Sequence, residues 1–252
     1  MKHILIIASH APSLINFRLS LIKELLNKGN KVSIAAPEYK FTNVLRKQLS
    51  DLGISINIFS LSRSGLNFFQ DYKSFKEMRI IIKNCDPDVV IAYTVKPVIY
   101  AGIILKKFSK ISYYPLITGL GYAFTTDHSL KRKILRYFLI KLYKKGLRSS
   151  AKVIFQNKDD KNLFYDLKIL KKNNLSSVVN GSGIDLKMYP FSVIPSDPVF
   201  LMISRLLVDK GVREYVEAAQ IVHSRFPNTI FQLAGYLDEN PSGISLEELQ
   251  SW

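Results

Sequence analysis

His3-Ile4-Leu5-Ile6-Ile7-Ala8 and Asp88-Val89-Val90-Ile91-Ala92-Tyr93-Thr94 are short runs, rich in β-branched residues, with no polar face. A strand with one wet face alternates apolar and polar residues. A run that is apolar at nearly every position is covered on both sides, as in a parallel sheet between two layers of helices. Further strand-like segments follow at Lys31–Ala36, Ile54–Leu61, Ile111–Thr118, Lys152–Asn157 and Ser177–Val179. Between them, apolar residues recur at helical spacing over Phe17–Lys28, Phe41–Leu52, Phe68–Asn84, Pro97–Phe108, Leu130–Leu147 and Asp159–Leu170. Gly29 and Gly53 stand where helices should stop and strands begin. The alternation predicts a doubly wound α/β domain over residues 1–190.

Around Pro190–Pro198 the periodicity breaks, which reads as a linker or crossover. It restarts with a strand at Val199–Ser204, a loop at Arg205–Lys210, a helix at Gly211–Phe226 and a strand at Thr229–Ala234. Ser245, with Glu248 three residues on, has the pattern of a helix capping box. Two parallel strands and one helix cannot bury both faces of their sheet. Residues 191–252 are therefore expected to be the start of a second domain, incomplete here or completed from outside this chain.

The 252 residues carry 36 Lys+Arg against 20 Asp+Glu, a formal net charge of +16, and 47% are hydrophobic. That excludes a disordered chain and permits a sizeable core. The single cysteine, Cys85, excludes a disulfide scaffold and suits a reducing compartment. His3, His10, His128 and His223 show no metal-ligand spacing, so no metal is expected. The apolar N-terminal run is too short for a secretory signal, and the uncharged stretch Ile111–Thr126 is shorter than the roughly 20 residues of a membrane span. Charge is uneven: residues 191–252 hold 4 basic and 8 acidic residues, leaving a net +20 in residues 1–190. The first unit should face something anionic: a phosphorylated substrate, a lipid surface or nucleic acid.

Candidate site residues fall at the carboxyl ends of the expected strands, where open α/β sheets bind ligands. After the first strand, the segment Ser9–Arg18 offers His10, Asn16 and Arg18. No G-x-G-x-x-G fingerprint is present there, which argues against a nicotinamide enzyme and leaves no cofactor expected. Asn16 and Arg18 either bind a polar substrate or are a helix cap and a solvated cation. Lys96, in Thr94-Val95-Lys96-Pro97, would sit at a helix N-terminus, where a cation is disfavoured unless an anion joins it. It is either a ligand for a phosphate or carboxylate, or simply exposed. Gly119 and Gly121 allow close backbone approach or make a turn. Asn180-Gly181-Ser182-Gly183 is either cleft backbone or a hinge. Arg205 and Lys210, with Gly211, flank a helix start and can cradle a diphosphate, although two basic residues on a loop are also common surface decoration.

Residues 131–148 carry Lys131, Arg132, Lys133, Arg136, Lys141, Lys144, Lys145 and Arg148 with no acidic residue. Ile134, Leu135, Phe138, Leu139 and Leu142 repeat at helical spacing. This is either a helix packed on the sheet with a solvated basic side or a basic element that docks on anionic phospholipid. No stacking platform or recognition-helix motif accompanies the charge, so nucleic acid is not an expected partner.

In this order, Ile15-Asn16-Phe17-Arg18, Thr94-Val95-Lys96-Pro97, Thr118-Gly119-Leu120-Gly121-Tyr122, Phe155-Gln156-Asn157, Asn180-Gly181-Ser182-Gly183-Ile184-Asp185 and Ser204-Arg205 with Lys210-Gly211 resemble a glycosyltransferase of family 4. The likeness is strongest to the bacterial branch that adds N-acetylhexosamines to undecaprenyl-diphosphate-linked sugars in surface-glycan assembly. The resemblance implies the GT-B fold: a complete N-terminal Rossmann-like domain facing the acceptor, and the beginning of a second that binds the nucleotide sugar. It implies Arg205 and Lys210 as the catalytic cations on the donor diphosphate, with Asn180, Gly181, Gly183 and Gly211 beside the donor. It implies His10, Asn16, Arg18, Lys96, Gly119 and Gly121 on the acceptor side. It also implies metal-independent transfer from a UDP-sugar with retention, by an enzyme peripheral to the cytoplasmic face of the plasma membrane. The family's second domain carries two glutamates seven residues apart beyond this chain's last residue; Glu247 and Glu248 are not those residues. A catalytically silent remnant, or a subunit that binds membrane or a partner chain, is the rival reading.

Overall fold

The computed structural model describes residues 1–62, 67–120, 124, 130–194, 196–237 and 242–252. The chain divides into two compact units, Met1–Tyr189 and Pro190–Trp252.

In the first unit seven strands form one parallel sheet: β1 (His3–Ile7), β2 (Lys31–Ala36), β3 (Ser55–Ile58), β4 (Val89–Tyr93), β5 (Ser112–Ile117), β6 (Val153–Phe155) and β7 (Ser176–Val178), in the order β3-β2-β1-β4-β5-β6-β7. β1 pairs with both β2 and β4, with Ile4 opposite Val32 on one side and Val89 on the other. The alternation of apolar residues resolves into two cores. Leu5, Ile7, Val90 and Ala92 face one, with Met78, Val98, Tyr143 and Phe164. Ile4, Ile6, Ala8 and Tyr93 face the other, with Leu14, Ile22, Leu45 and Leu49. Each fully buried Leu or Ile contributes about 1.5–3 kcal/mol, which explains why β1 and β4 have no polar face.

The helices sort accordingly. α1 (Pro12–Asn27) and α2 (Asn43–Ser50) cover one face of the sheet; α3 (Phe68–Cys85), α4 (Val95–Leu105), α5 (Leu130–Gly146) and α6 (Lys158–Asp166) cover the other. Asn67 and Asn157 cap α3 and α6 through their side chains. α1 starts at Pro12, not at Phe17 as the periodicity suggested. Proline suits the first helical position because its missing N–H has no intrahelical acceptor there, and Leu14 is fully buried one turn on. Asn16 and Arg18 therefore lie on a helix rather than in a loop, and Asn16 does not cap it.

α4 and α5 cross in backbone contact. A Cβ on Gly102 would meet the Gly146 carbonyl oxygen at 1.8 Å, and one on Gly146 would meet Ile99 Cα at 3.0 Å. Ser149 Oγ donates to Gly102 O at 2.8 Å beside the crossing.

The second unit holds β8 (Val199–Ile203) and β9 (Ile230–Ala234), paired in parallel, with α7 (Val212–Arg225) and α8 (Leu246–Gln250). Ser245 accepts from the Glu248 N–H, closing the expected cap of α8. Its small core is Leu206, Val212 and Ile244, and Ile203 is 75% exposed.

Candidate functional site

The strand order reverses between β1 and β4, so the crevice at their carboxyl ends is the switch point where open α/β sheets bind ligands. One wall is the turn from β1 into α1. Ser13 Oγ donates to the His10 carbonyl at 2.5 Å, leaving its lone pairs for the Tyr93 hydroxyl at 2.8 Å. Burial pushes the Tyr93 pKa up to about 12, against the opposing pulls of the Ser13 hydrogen bond and the Arg18 charge. His10 is half-buried in that turn.

Arg18 is 4% exposed. Its Nη1 donates to Phe17 O and to Ser182 Oγ, both at 2.8 Å, and its Cζ lies 4.7 Å from the Tyr93 ring centroid. Gln156 Nε2 donates to the same Ser182 oxygen at 3.2 Å. Nε of Arg18 is buried without a hydrogen-bond partner, and among the described residues no carboxylate pairs with the guanidinium. Burial pushes its pKa down, and Tyr93 offsets only part of that. A buried cation costs several kcal/mol, and a ring face returns only about 0.5–2 kcal/mol. The solvated-cation alternative for Arg18 is thereby corrected.

At the end of β4, Thr94 holds φ 69° and ψ 161°, a region that is nearly glycine-only and costs about 1–3 kcal/mol for other residues. Its Oγ1 is buried without a hydrogen-bond partner. Lys96, in the first turn of α4, donates to Asp71 Oδ1 at 2.7 Å and to Ser62 O at 2.9 Å. The anion expected beside it from a ligand is supplied by the protein's own carboxylate; both side chains are largely buried.

The other residues divide. Asn16 is exposed on α1, beside Phe17 at 57% exposure, and is not drawn into the Arg18 group. Gly119 follows β5 with φ 139° and open space around it; Gly121 and Tyr122 lie outside the described residues. Asn180, Gly181 and Gly183 are exposed. Gly181 (φ 76°) and Gly183 (φ 74°) sit in the left-handed region, which presents Ser182 between them to Arg18 and Gln156. In the second unit, Arg205 and Lys210 are exposed on the one connection from β8 to α7. A 3-10 turn, Val208–Lys210, brings the chain to Gly211, whose φ of 76° starts α7. The loop thus carries two cations beside the first turn of a helix.

Sequence reasoning missed Asp71 as the partner of Lys96, the Tyr93 ring against Arg18 with its hydroxyl held by Ser13, and the backbone strain at Thr94. Among the described residues no group of His, Cys, Asp and Glu could hold a metal ion.

Comparison with known proteins first defines the class. Sucrose-phosphate synthase from Thermosynechococcus elongatus matches over 100% of this chain and 67% of its own, at a TM-score of 0.71 and 14% identity. MurG from Acinetobacter baumannii matches 95% of this chain and 68% of its own, at a TM-score of 0.53 and 14% identity. The fold is α/β of the GT-B type. Residues 3–157 match the family described as glycosyl transferase 4-like, and the chain belongs to that family. It is 32% identical over 259 aligned positions to the N,N'-diacetylbacillosaminyl-diphospho-undecaprenol alpha-1,3-N-acetylgalactosaminyltransferase of Campylobacter jejuni subsp. jejuni. The chain spans 66% of that relative's length, and 96% of this chain is aligned.

Proposed function

We propose that this chain carries the acceptor-side unit and the donor-diphosphate cradle of a glycosyltransferase that moves an N-acetylhexosamine from a UDP-sugar to a lipid-linked saccharide. The observation that carries the reading is Arg18: a guanidinium buried at the switch point, with Nε unpartnered and no carboxylate against it. Such a group is completed by an anion, and the diphosphate linking a saccharide to a polyprenyl carrier is an anion of the right kind. The family, and the diphospho-undecaprenol acceptor in the name of the Campylobacter relative, support it.

In the reaction the acceptor hydroxyl oxygen bonds to the anomeric carbon of the donor sugar while the bond from that carbon to the diphosphate oxygen breaks. The hydroxyl proton passes to the departing diphosphate. Retention follows when both events occur on one face of the sugar. Negative charge grows on the leaving UDP, and Arg205, Lys210 and the α7 N–H groups are placed to stabilise it without a metal. The resemblance to the family assigns Asn180, Gly181, Gly183 and Gly211 to the donor. The same resemblance assigns Arg18, His10, Asn16, Lys96, Gly119 and Gly121 to the acceptor, with Lys96 neutralised by Asp71 and therefore positioning rather than gripping.

The enzyme works at an anionic membrane surface, peripheral at the cytoplasmic face. Support comes from α5, where Leu130, Ile134, Tyr137 and Phe138 are all more than half exposed and lead into Lys141, Lys144, Lys145 and Arg148. Among the described residues no helix is long and apolar enough to cross a membrane.

Calorimetric titration with UDP, UDP-N-acetylgalactosamine and UDP-N-acetylglucosamine tests the donor side. Binding of UDP that Arg205→Ala and Lys210→Ala each weaken at least tenfold is the expected result. UDP binding indifferent to both substitutions overturns the cradle.

A further inference from the structure

The Gly102–Gly146 contact has a second effect. It brings the last turns of α4 and α5 together, so that Lys106, the C-cap of α4, lies across a hollow of about 400 Å3 from Lys141, Lys144, Lys145 and Arg148. Among the described residues those five cations line it and no acidic residue does. Among the described residues none of the five has a carboxylate partner; Lys141 Nζ lies 4.3 Å from the Tyr137 ring centroid.

The ordinary explanation for cations at helix C-termini is the macrodipole, which places about half a negative charge at each C-terminus. Two helix ends supply about one charge against five. Lys141, moreover, stands a turn before the end of α5. Like charges held together without counter-charge repel, and nothing in the packing requires lysine at exposed positions. The side chains that line the hollow are all hydrogen-bond donors, since neither ammonium nor guanidinium accepts. A single carboxylate would leave most of these donors and most of this charge unmatched.

We propose that this hollow binds a clustered phosphate group, a phosphomonoester or a diphosphate, at a site separate from the switch-point crevice and from the Arg205–Lys210 cradle. Such a group presents several acceptor oxygens and about two negative charges in a volume the hollow accommodates. It can arrive as a lipid headgroup or free in solution. The first source deepens the membrane-surface reading above and rests on it; the second does not.

The test uses the full chain carrying Arg18→Met, Arg205→Ala and Lys210→Ala, so that the switch-point crevice and the donor cradle are both silent. Inorganic pyrophosphate is titrated calorimetrically into this protein, into the same protein with Lys141→Gln, Lys144→Gln and Lys145→Gln, and into a charge-matched control with Lys23→Gln, Lys47→Gln and Lys83→Gln. All six lysines are exposed, so neither triple variant should impair folding. One-site binding, weakened at least tenfold by the first triple and less than twofold by the control, is expected. Equal weakening by both triples shows diffuse attraction to a basic protein and overturns the site, as does the absence of saturable binding. Sedimentation with phosphatidylcholine vesicles containing phosphatidic acid, against phosphatidylglycerol at equal surface charge, identifies the source. A preference for phosphatidic acid lost only in the first triple assigns the lipid headgroup. Pyrophosphate binding with no vesicle binding assigns a soluble phosphate and removes the membrane reading while leaving the hollow.

Discussion

Arg18 Nη1 donates to Ser182 Oγ at 2.8 Å across 164 positions of sequence, joining α1 to the Gly-Ser-Gly segment that follows β7. Gln156 holds the same oxygen from β6's side. One buried guanidinium thus reaches the rim of the crevice, while its own Nε is buried without a hydrogen-bond partner.

If Arg18 is retained for a ligand, its removal should not harm the fold. Arg18→Met keeps the volume and removes the buried charge, a change that is often neutral or stabilising. The thermal midpoint by circular dichroism should stay within about 3 °C of the parent or rise. A fall of more than about 5 °C would assign Arg18 to the architecture instead.

Gly102 marks the opposite case. A methyl group there meets a backbone carbonyl, which cannot rotate away as a side chain can. Gly102→Ala should cost about 3 kcal/mol or more in urea unfolding, because α4 and α5 must separate. Gly29→Ala, with open space but a positive φ, should cost only about 1 kcal/mol. Equal costs would mean the helix crossing is looser than described.

Tyr93 gives a pH window. Its pKa is about 12 when folded and 10 in the ordinary case, so the folded state holds the proton more tightly. The stability this represents is complete below pH 10 and is lost as pH rises toward 12, about 2–3 kcal/mol in all. Tyr93→Phe should lose less stability than the parent between pH 10 and 12, though not none, since burial also raises Tyr113 and Tyr143. Identical pH dependence of the two proteins would remove Tyr93 from the buried network.

The apolar end of α5 predicts a membrane phenotype independent of its cations. Ile134→Asp with Phe138→Asp, both on exposed positions, should leave the thermal midpoint unchanged and lower sedimentation with anionic vesicles at least fivefold. Undiminished sedimentation would show that this face does not enter the lipid surface.

The fold was legible because it is written in local pattern. Ile4–Ile7 and Val89–Ala92 are apolar at every position since each strand feeds two cores, and that needs no knowledge of partners. The start of α1 was not, because Ser9-His10-Ala11-Pro12 has turn composition and only burial of Leu14 reveals a helix. The site was legible in position but not in state. Arg18 could be placed after the first strand, yet its burial depends on Ser182 and Tyr93, far away in sequence. Lys96 was placed at a helix start, but Asp71 lies on α3, and nothing in the spacing of the two announces an ion pair. Thr94 is a common residue in an uncommon conformation, which composition does not record.

The most direct test of the account is equilibrium binding of a short-chain polyprenyl-diphosphate-linked N-acetylhexosamine to the full chain, compared across Arg18→Met, Lys210→Ala and the parent. Saturable binding that falls at least tenfold in Arg18→Met and less than twofold in Lys210→Ala is expected. Binding that ignores Arg18 would contradict the assignment of the switch-point crevice to the acceptor diphosphate.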